Sequence, residues 1–244
     1  MARKAKPSVR EAALRLTATF EGGWDAVAGD FDGQVLSYGP LQWNLGQGTL
    51  RPVLLLIPEP TLRAHLGEEF VGALKAGNQA LVSFVRQNVL RHGAVLPEWR
   101  VRLRTLANTP EARLAFLKGA EPYFRRAESL LGKTGWETER AYALAFDTAV
   151  QNGAPRNDHL REYARRLGAA GSPPEEWKRL KIWASVVADL ANPRWRQDVL
   201  SRKLAIALGR GVVHGRRVDL EKDYNISYWR KWFEEEGEAW TGTQ

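Results

Sequence analysis

Residues 139–150 read ERAYALAFDTAV, a stretch that is apolar on nearly every side of a helix and carries a single acidic residue, Asp147, after the first turn. A surface helix shows one apolar stripe, whereas a helix apolar all round is packed on every side. This stretch is therefore expected to form a buried central helix with other helices packed around it. An Asp on such a helix is costly to bury unless it is paired and hydrogen-bonded, so Asp147 needs a cationic partner.

Working outward, the periodicity is helical almost throughout beyond Pro58. Starts are predicted at Pro60, Asn78 and Thr109-Pro110-Glu111, then near Thr138, Asp158, Ser172-Pro173 and Asn192-Pro193. Near the N-terminus, Ser8 and Glu11 have capping-box spacing, and Val9, Ala13, Leu16 and Phe20 share one helical face. This helix should stop at Gly22-Gly23 with Glu21 in its last turn. From Gly29 to Leu45, Gly-rich punctuation around Val35, Leu36, Tyr38, Leu41 and Trp43 predicts short strands and turns, the one β stretch expected. The fold class is mainly α with a small β-hairpin region near the N-terminus. No repeat or Gly/Ser linker interrupts it, so residues 1–244 are read as one integrated domain of two lobes behind a basic tail, residues 1–7.

A chain of 244 residues with 44% apolar content and ten Trp has material for a sizeable core, which excludes disorder as its main state. Cysteine is absent, which removes disulfides, Cys-type zinc sites and thiol nucleophiles. His65, His92, His159 and His214 are scattered without metal-ligand spacing, so no metal and no cofactor are expected. No apolar run is long enough for a signal peptide or a membrane span. Any chemistry falls to carboxylates and hydroxyls.

Carboxylates are distributed unevenly. Between Arg15 and Arg51 there is no Lys or Arg, yet Glu21, Asp25, Asp30 and Asp32 lie there. In a chain of net charge +8, such a segment suits carboxylates whose ionisation must not be set by chance neighbours. A helix C-terminus favours the protonated form of a carboxyl held there, so Glu21 is placed like a general acid. Glycoside hydrolysis needs such an acid and a second carboxylate that attacks or activates water. Asp32 and Asp30 are the choices for the second. Trp24, Phe31, Tyr38 and Trp43 crowd the same window, and aromatic faces stack on pyranoses. Any one of them is as readily a core residue, but at least one is expected to be exposed.

The segment DGQVLSYGPLQW, residues 32–43, resembles the catalytic segment of bacterial chitosanases of glycoside hydrolase family 46. It also resembles a run in goose-type lysozymes and lytic transglycosylases, families that share the wider lysozyme-like fold. AYALAFD, residues 141–147, followed by QNG at 151–153 and by Asn157-Asp158, resembles the chitosanases' buried central helix with its one Asp. Ser201-Arg202-Lys203 and Arg217-Val218-Asp219 resemble two further segments of that family. The resemblance implies a lysozyme-like, two-lobed fold with Glu21 as general acid, Asp32 as base and Ser37 in the place of a Thr that positions the attacking water. It further implies a supporting relay of Asp147, Arg202 and Arg217 ending at Glu21. The loop from Glu21 to Asp32 is shorter than the chitosanases', which keeps Asp30 as the alternative second carboxylate. Trp24, Tyr38, Gln42, Trp43 and Asn44 are the expected substrate-binding residues.

A polysaccharide substrate follows, and charge bears on which one. Chitosan is a polycation, whereas peptidoglycan and its associated wall polymers are anionic and suit a body of +8 whose excess lies outside residues 1–50. The expectation is a lysozyme-like peptidoglycan hydrolase, endolysin-like, with chitosanase as the alternative. It would be made in the cytoplasm, would reach the wall by release or by other machinery, and would be a monomer with no membrane partner. The rival class is a helical nucleic-acid-binding protein, prompted by the basic runs RVRLR (100–104) and REYARR (161–166). Both alternate with apolar positions and read as solvated helix faces. No zinc motif, phosphate loop or RNA-binding signature accompanies them, so nucleic acid is not the expected partner. A wall-binding domain without catalysis is disfavoured by the presence of both Glu21 and Asp32.

Overall fold

The computed structural model describes residues 3–234. These contain thirteen α-helices, one 3-10 turn and three small antiparallel sheets. The chain divides into two compact units, a continuous one of residues 17–121 and a discontinuous one of residues 1–16 and 122–244. Net charge is segregated between them. The continuous unit holds 10 Lys and Arg against 10 Asp and Glu, and the discontinuous unit 26 against 18, so the latter carries the whole excess of +8.

The first helix, α1 (Pro7–Phe20), begins one residue before the predicted cap, with Pro7 at a position that needs no N–H donor. The expected basic tail is tied down where it is described. Ala5 is buried and bridges Phe233, Lys6 N–H donates to the Trp232 carbonyl at 3.0 Å, and Arg3 pairs with Glu137 at 3.2 Å. Met1 and Ala2 lie outside the described residues.

In the continuous unit, β1 (Val27–Ala28), β2 (Ser37–Tyr38) and β3 (Trp43–Asn44) form one sheet, with Tyr38 facing Val27 on one side and Trp43 on the other. There follow α2 (Leu50–Leu54), α3 (Glu59–Leu66), α4 (Glu68–Ala76), α5 (Asn78–Asn88), the hairpin β4 (Leu90–Arg91) and β5 (Ala94–Val95), α6 (Pro97–Ala107) and α7 (Pro110–Gly119). Proline opens α6 and α7, and the Thr109 side chain caps the latter by accepting from Ala112 N–H at 3.2 Å. Phe116 of α7 centres the core, with the rings of Tyr38 and Trp43 at 5.6 Å and Trp24 at 5.8 Å. Gly29 is required by a close approach: a Cβ there would meet the Gly93 carbonyl oxygen at 2.1 Å.

The discontinuous unit continues with α8 (Glu121–Thr134), α9 (Glu139–Gln151), α10 (Asn157–Ala169), α11 (Glu176–Asp189), the 3-10 turn Pro193–Trp195, α12 (Arg196–Leu208), the hairpin β6 (Arg210–Val213) and β7 (Arg216–Asp219), and α13 (Leu220–Tyr224). The central helix is found where the sequence places it: α9 is buried without interruption from Glu139 to Ala149. Phe124 stacks on Phe146 at 4.8 Å, and the Trp183 indole N–H donates to Thr148 Oγ1 at 3.3 Å. The fold class is as expected, while α11 starts at Glu176, later than the Ser172-Pro173 signal.

The expectation of a single β stretch is corrected by the two further hairpins. Each closes through His-Gly, with His92 and His214 at φ 50° and Gly93 and Gly215 at φ 79° and 75°. Two-residue hairpin loops favour positive φ at both positions, and His accepts that region more readily than most residues. Asn-Gly and Asp-Gly are the stronger sequence signals for such a turn, and His-Gly is a weaker one.

Candidate active site

Glu21 owes its position to the way α1 ends. Gly22 and Gly23 have φ of 102° and 114°, and Gly23 N–H reaches back to the Ala18 carbonyl at 2.8 Å. This is the six-residue closure of a Schellman ending, with glycine where a positive φ is needed. Glu21 is therefore the capping residue, one beyond the helix rather than in its last turn, and it is partly exposed.

The loop leading to β2 distinguishes the two other carboxylates. Asp30 Oδ1 accepts from Val35 N–H at 2.8 Å, and its Oδ2 lies 3.8 Å from the Arg86 guanidinium. Asp30 thus clamps the loop and faces a cation. Asp32 is exposed, and its Oδ1 accepts from Gln34 N–H at 3.2 Å in a local Asx turn. Between Asp32 and Ser37 the chain makes a γ-turn at Val35, closed by Leu36 N–H to the Gln34 carbonyl at 2.8 Å, with Val35 at φ 68°. Ser37 follows at once in β2, facing Ala28 and Asn44, with 8% of its surface exposed. An exposed carboxylate on a loop of fixed path suits a base better than one engaged in holding that path.

The window without Lys or Arg in sequence is not without them in space. Arg86 of α5 approaches Asp30, Arg104 of α6 lies 3.9 Å from Asp25, and Arg100 donates to the Val27 carbonyl at 2.8 Å.

The expected substrate-binding residues divide. Trp24 is half-buried, with its indole N–H on the Ala107 carbonyl at 3.1 Å. Tyr38 and Trp43 are corrected to core residues: both are buried against Phe116, and the Tyr38 hydroxyl donates to the Leu103 carbonyl at 2.7 Å. Burial, with the nearby Asp25 charge, holds the Tyr38 phenol well above its ordinary pKa. Gln42 is part-buried and Asn44 is buried, and both hold the local backbone. The Gln42 amide donates to the Gly39 carbonyl at 3.0 Å, and Asn44 Oδ1 accepts from Gln47 N–H at 2.8 Å in a turn. The ring that faces solvent is Phe31, 81% exposed beside Asp32.

Asp147 has the partner its burial demands, and a second one. Arg202 Nη2 lies 2.7 Å from Oδ1 and Lys203 Nζ 2.5 Å from Oδ2, with all three side chains at most 2% exposed. Lys203 also donates to Gln151 Oε1 at 2.7 Å. Burial alone would raise the Asp147 pKa, but the charges and hydrogen bonds of Arg202 and Lys203 outweigh it and bring it down to about 2. Arg217 is corrected: it lies exposed on β7 and makes no ion pair with Asp147, and Lys203 takes the second position. Adjacent cations on one helix were the available signal for Lys203.

No protein-family model matches the chain, and no curated protein matches its sequence. Solved structures do match. A native chitosanase from Bacillus subtilis MY002 aligns over 87% of this chain and 96% of its own, at 19% identity and a TM-score of 0.57. A GH46 chitosanase from Gynuella sunshinyii, in complex with chitotetraose, aligns over 88% and 98%, at 15% identity and 0.55. Chitosanase OU01 with substrate aligns over 88% and 97%, at 16% identity and 0.55. The fold is that of the chitosanases. It is the lysozyme-like fold that the three sequence patches imply, and at these identities the likeness concerns the fold. Among the described residues no helix is long and apolar enough to cross a membrane, and no group of three or more His, Asp or Glu is placed to hold a metal ion.

Proposed function

We propose that the chain hydrolyses the β-1,4 linkages of an amino-sugar polymer by general acid and base catalysis. The observation that carries this reading is the chitosanase-like fold with two carboxylates in contrasting settings, Glu21 capping a helix and Asp32 on an exposed loop. In this reading Glu21 protonates the leaving glycosidic oxygen, and Asp32 takes a proton from the water that attacks the anomeric carbon. Ser37, five residues beyond Asp32 and fixed in β2, holds that water, and the anomeric carbon inverts.

For the substrate, chitosan is the reading the neighbours support, since they are chitosanases, one of them in complex with chitotetraose. The unit that carries Glu21 and Asp32 has equal numbers of acidic and basic residues and so does not repel a polycation. Peptidoglycan is the second reading, favoured by the +8 gathered in the discontinuous unit, and it brings delivery to the wall by other machinery with it. Incubation with chitosan and with purified peptidoglycan, followed by mass spectrometry of the new reducing ends, tests both. Glucosamine oligomers are expected from chitosan, muropeptide release alone would favour the second reading, and no new ends from either polymer would refute the hydrolase.

A further inference from the structure

The discontinuous unit holds a cavity of about 440 Å³ where the ends of α9 and α11 meet the starts of α10 and α12, and every residue lining it belongs to that unit. The volume is in the range of sites for small ligands. Its polar lining includes the Asp198 carboxylate and the side-chain amides of Gln151, Asn152 and Asn192, beside Arg156 and His159. Arg156 is committed to Asp158 at 3.0 Å, and His159 Nδ1 meets the same carboxylate at 3.0 Å. Of the other polar lining residues, Gln151 is held between Asp198 and Lys203 and Asn192 Oδ1 takes Arg194 N–H at 3.0 Å, which leaves Asp198 and Asn152 for a ligand. Asn152 Oδ1 is buried and has no hydrogen-bond partner. Buried acceptors are nearly always paired, so an unpaired one on a residue that lines the cavity is a group a ligand donor could satisfy. The Asp198 carboxylate takes the Gln151 amide at 3.2 Å and meets His214 Nε2, leaving part of its acceptor capacity unused.

Trp195 stands at the same cavity with 53% of its surface exposed, and the Arg194 guanidinium lies 4.8 Å from its ring centroid. An exposed indole beside a carboxylate and an amide is the combination a pyranose uses, with its C–H face on the ring and its hydroxyls on the acceptors. The wall is pre-organised, because Gln151 also accepts from Lys203, which is fixed on the buried Asp147.

We infer that this cavity is a second carbohydrate site, one that takes a glucosamine-type residue with its ammonium on Asp198, a hydroxyl on Asn152 Oδ1 and its ring on Trp195. The choice of sugar rests on the reading of the polymer as an amino-sugar chain, but the binding itself does not depend on turnover. The site would hold the polymer at a point other than Glu21.

The test is titration of the isotope-labelled full chain with glucosamine and with N-acetylglucosamine, followed by NMR of the Trp195 indole and Asn152 side-chain amide signals. Both signals should shift with glucosamine, and the acetylated sugar, which lacks the ammonium, should bind at least about tenfold more weakly, the scale of a lost charged hydrogen bond. Asp198→Asn should remove that preference, and Trp195→Ala, an exposed position, should weaken both sugars. Unmoved signals at saturating glucosamine, or equal binding of the two sugars by the unmodified chain, would overturn the site. Hydrolysis of chitosan without these shifts would remove this inference alone, and shifts without hydrolysis would remove only the proposed activity.

Discussion

Val35 N–H donates to Asp30 Oδ1 at 2.8 Å while Val35 itself stands at φ 68°, a backbone region that a β-branched residue seldom enters. Such strain costs on the order of 1–3 kcal/mol and persists where surrounding structure over-determines it. Here the Asp30 carboxylate, the γ-turn closed by Leu36 N–H and the burial of the Val35 side chain do so together. The strained residue lies between Asp32 and Ser37, so it sets the path from the proposed base to the hydroxyl that holds water. Glycine normally destabilises relative to alanine by about 0.5–1 kcal/mol in regular structure. At this position the order should reverse, with Val35→Gly more stable than Val35→Ala by about 1 kcal/mol. Urea unfolding of the two variants decides it, and the ordinary order would show that the turn stores no strain.

Asp30→Ala should release the clamp on this turn. A stability loss of about 1–2 kcal/mol is expected from the buried N–H left unpaired. Turnover should fall through kcat more than through KM, because Asp32 and Ser37 lose their fixed relation. An unchanged kcat in a folded Asp30→Ala protein would detach the clamp from the chemistry.

Asp147→Ala leaves Arg202 and Lys203 buried without their carboxylate and should cost about 3–5 kcal/mol. Arg217→Ala, at an exposed strand position, should stay within about 0.5 kcal/mol of the parent. Thermal melts compare them directly, and similar melting temperatures for the two variants would contradict the buried trio.

The same trio predicts an acid limb. The Asp147 pKa in the folded protein, about 2, lies below the ordinary unfolded value near ~3.9. Its contribution is therefore fully present above the unfolded pKa and lost as pH falls through the folded one, an effect on the order of 2 kcal/mol between about pH 4 and pH 2. Asp147→Asn, which cannot titrate, should show a shallower loss of stability over that window in denaturant melts. Parallel curves for parent and variant would assign the acid limb to other carboxylates.

How much of this was legible in the sequence depends on how local each signal is. The central helix was readable because an apolar surface on every side of residues 139–150 has only one packing solution, and the demand of Asp147 for a cation followed from burial alone. The second cation, Lys203, was signalled only by its place beside Arg202, since whether both adjacent side chains of α12 reach α9 is set by how those helices pack. Aromatic content predicted at least one exposed ring near the carboxylates without saying which. Strand pairing turned Tyr38 and Trp43 onto Phe116, and Phe31 was left outside. The cation-free window was a fact about chain neighbours that Arg86, Arg100 and Arg104 reversed from α5 and α6.

Stereochemistry separates the two roles open to Asp32. As a base it activates water and the product inverts, whereas as a nucleophile it forms a glycosyl adduct and the product is retained. Inversion is expected, with Ser37→Ala slowing turnover less than Asp32→Asn. Proton NMR of the first-formed anomer reads this out, and a retained anomer would make Asp32 a nucleophile.

In the proposed reaction Glu21 supplies the proton to the leaving sugar. Glu21→Gln preserves the shape of the side chain and removes the transferable proton, so the initial rate of reducing-end formation from chitosan should drop at least about a hundredfold, with the melting temperature unchanged. Near-parental turnover by a folded Glu21→Gln protein would show that Glu21 is not the general acid.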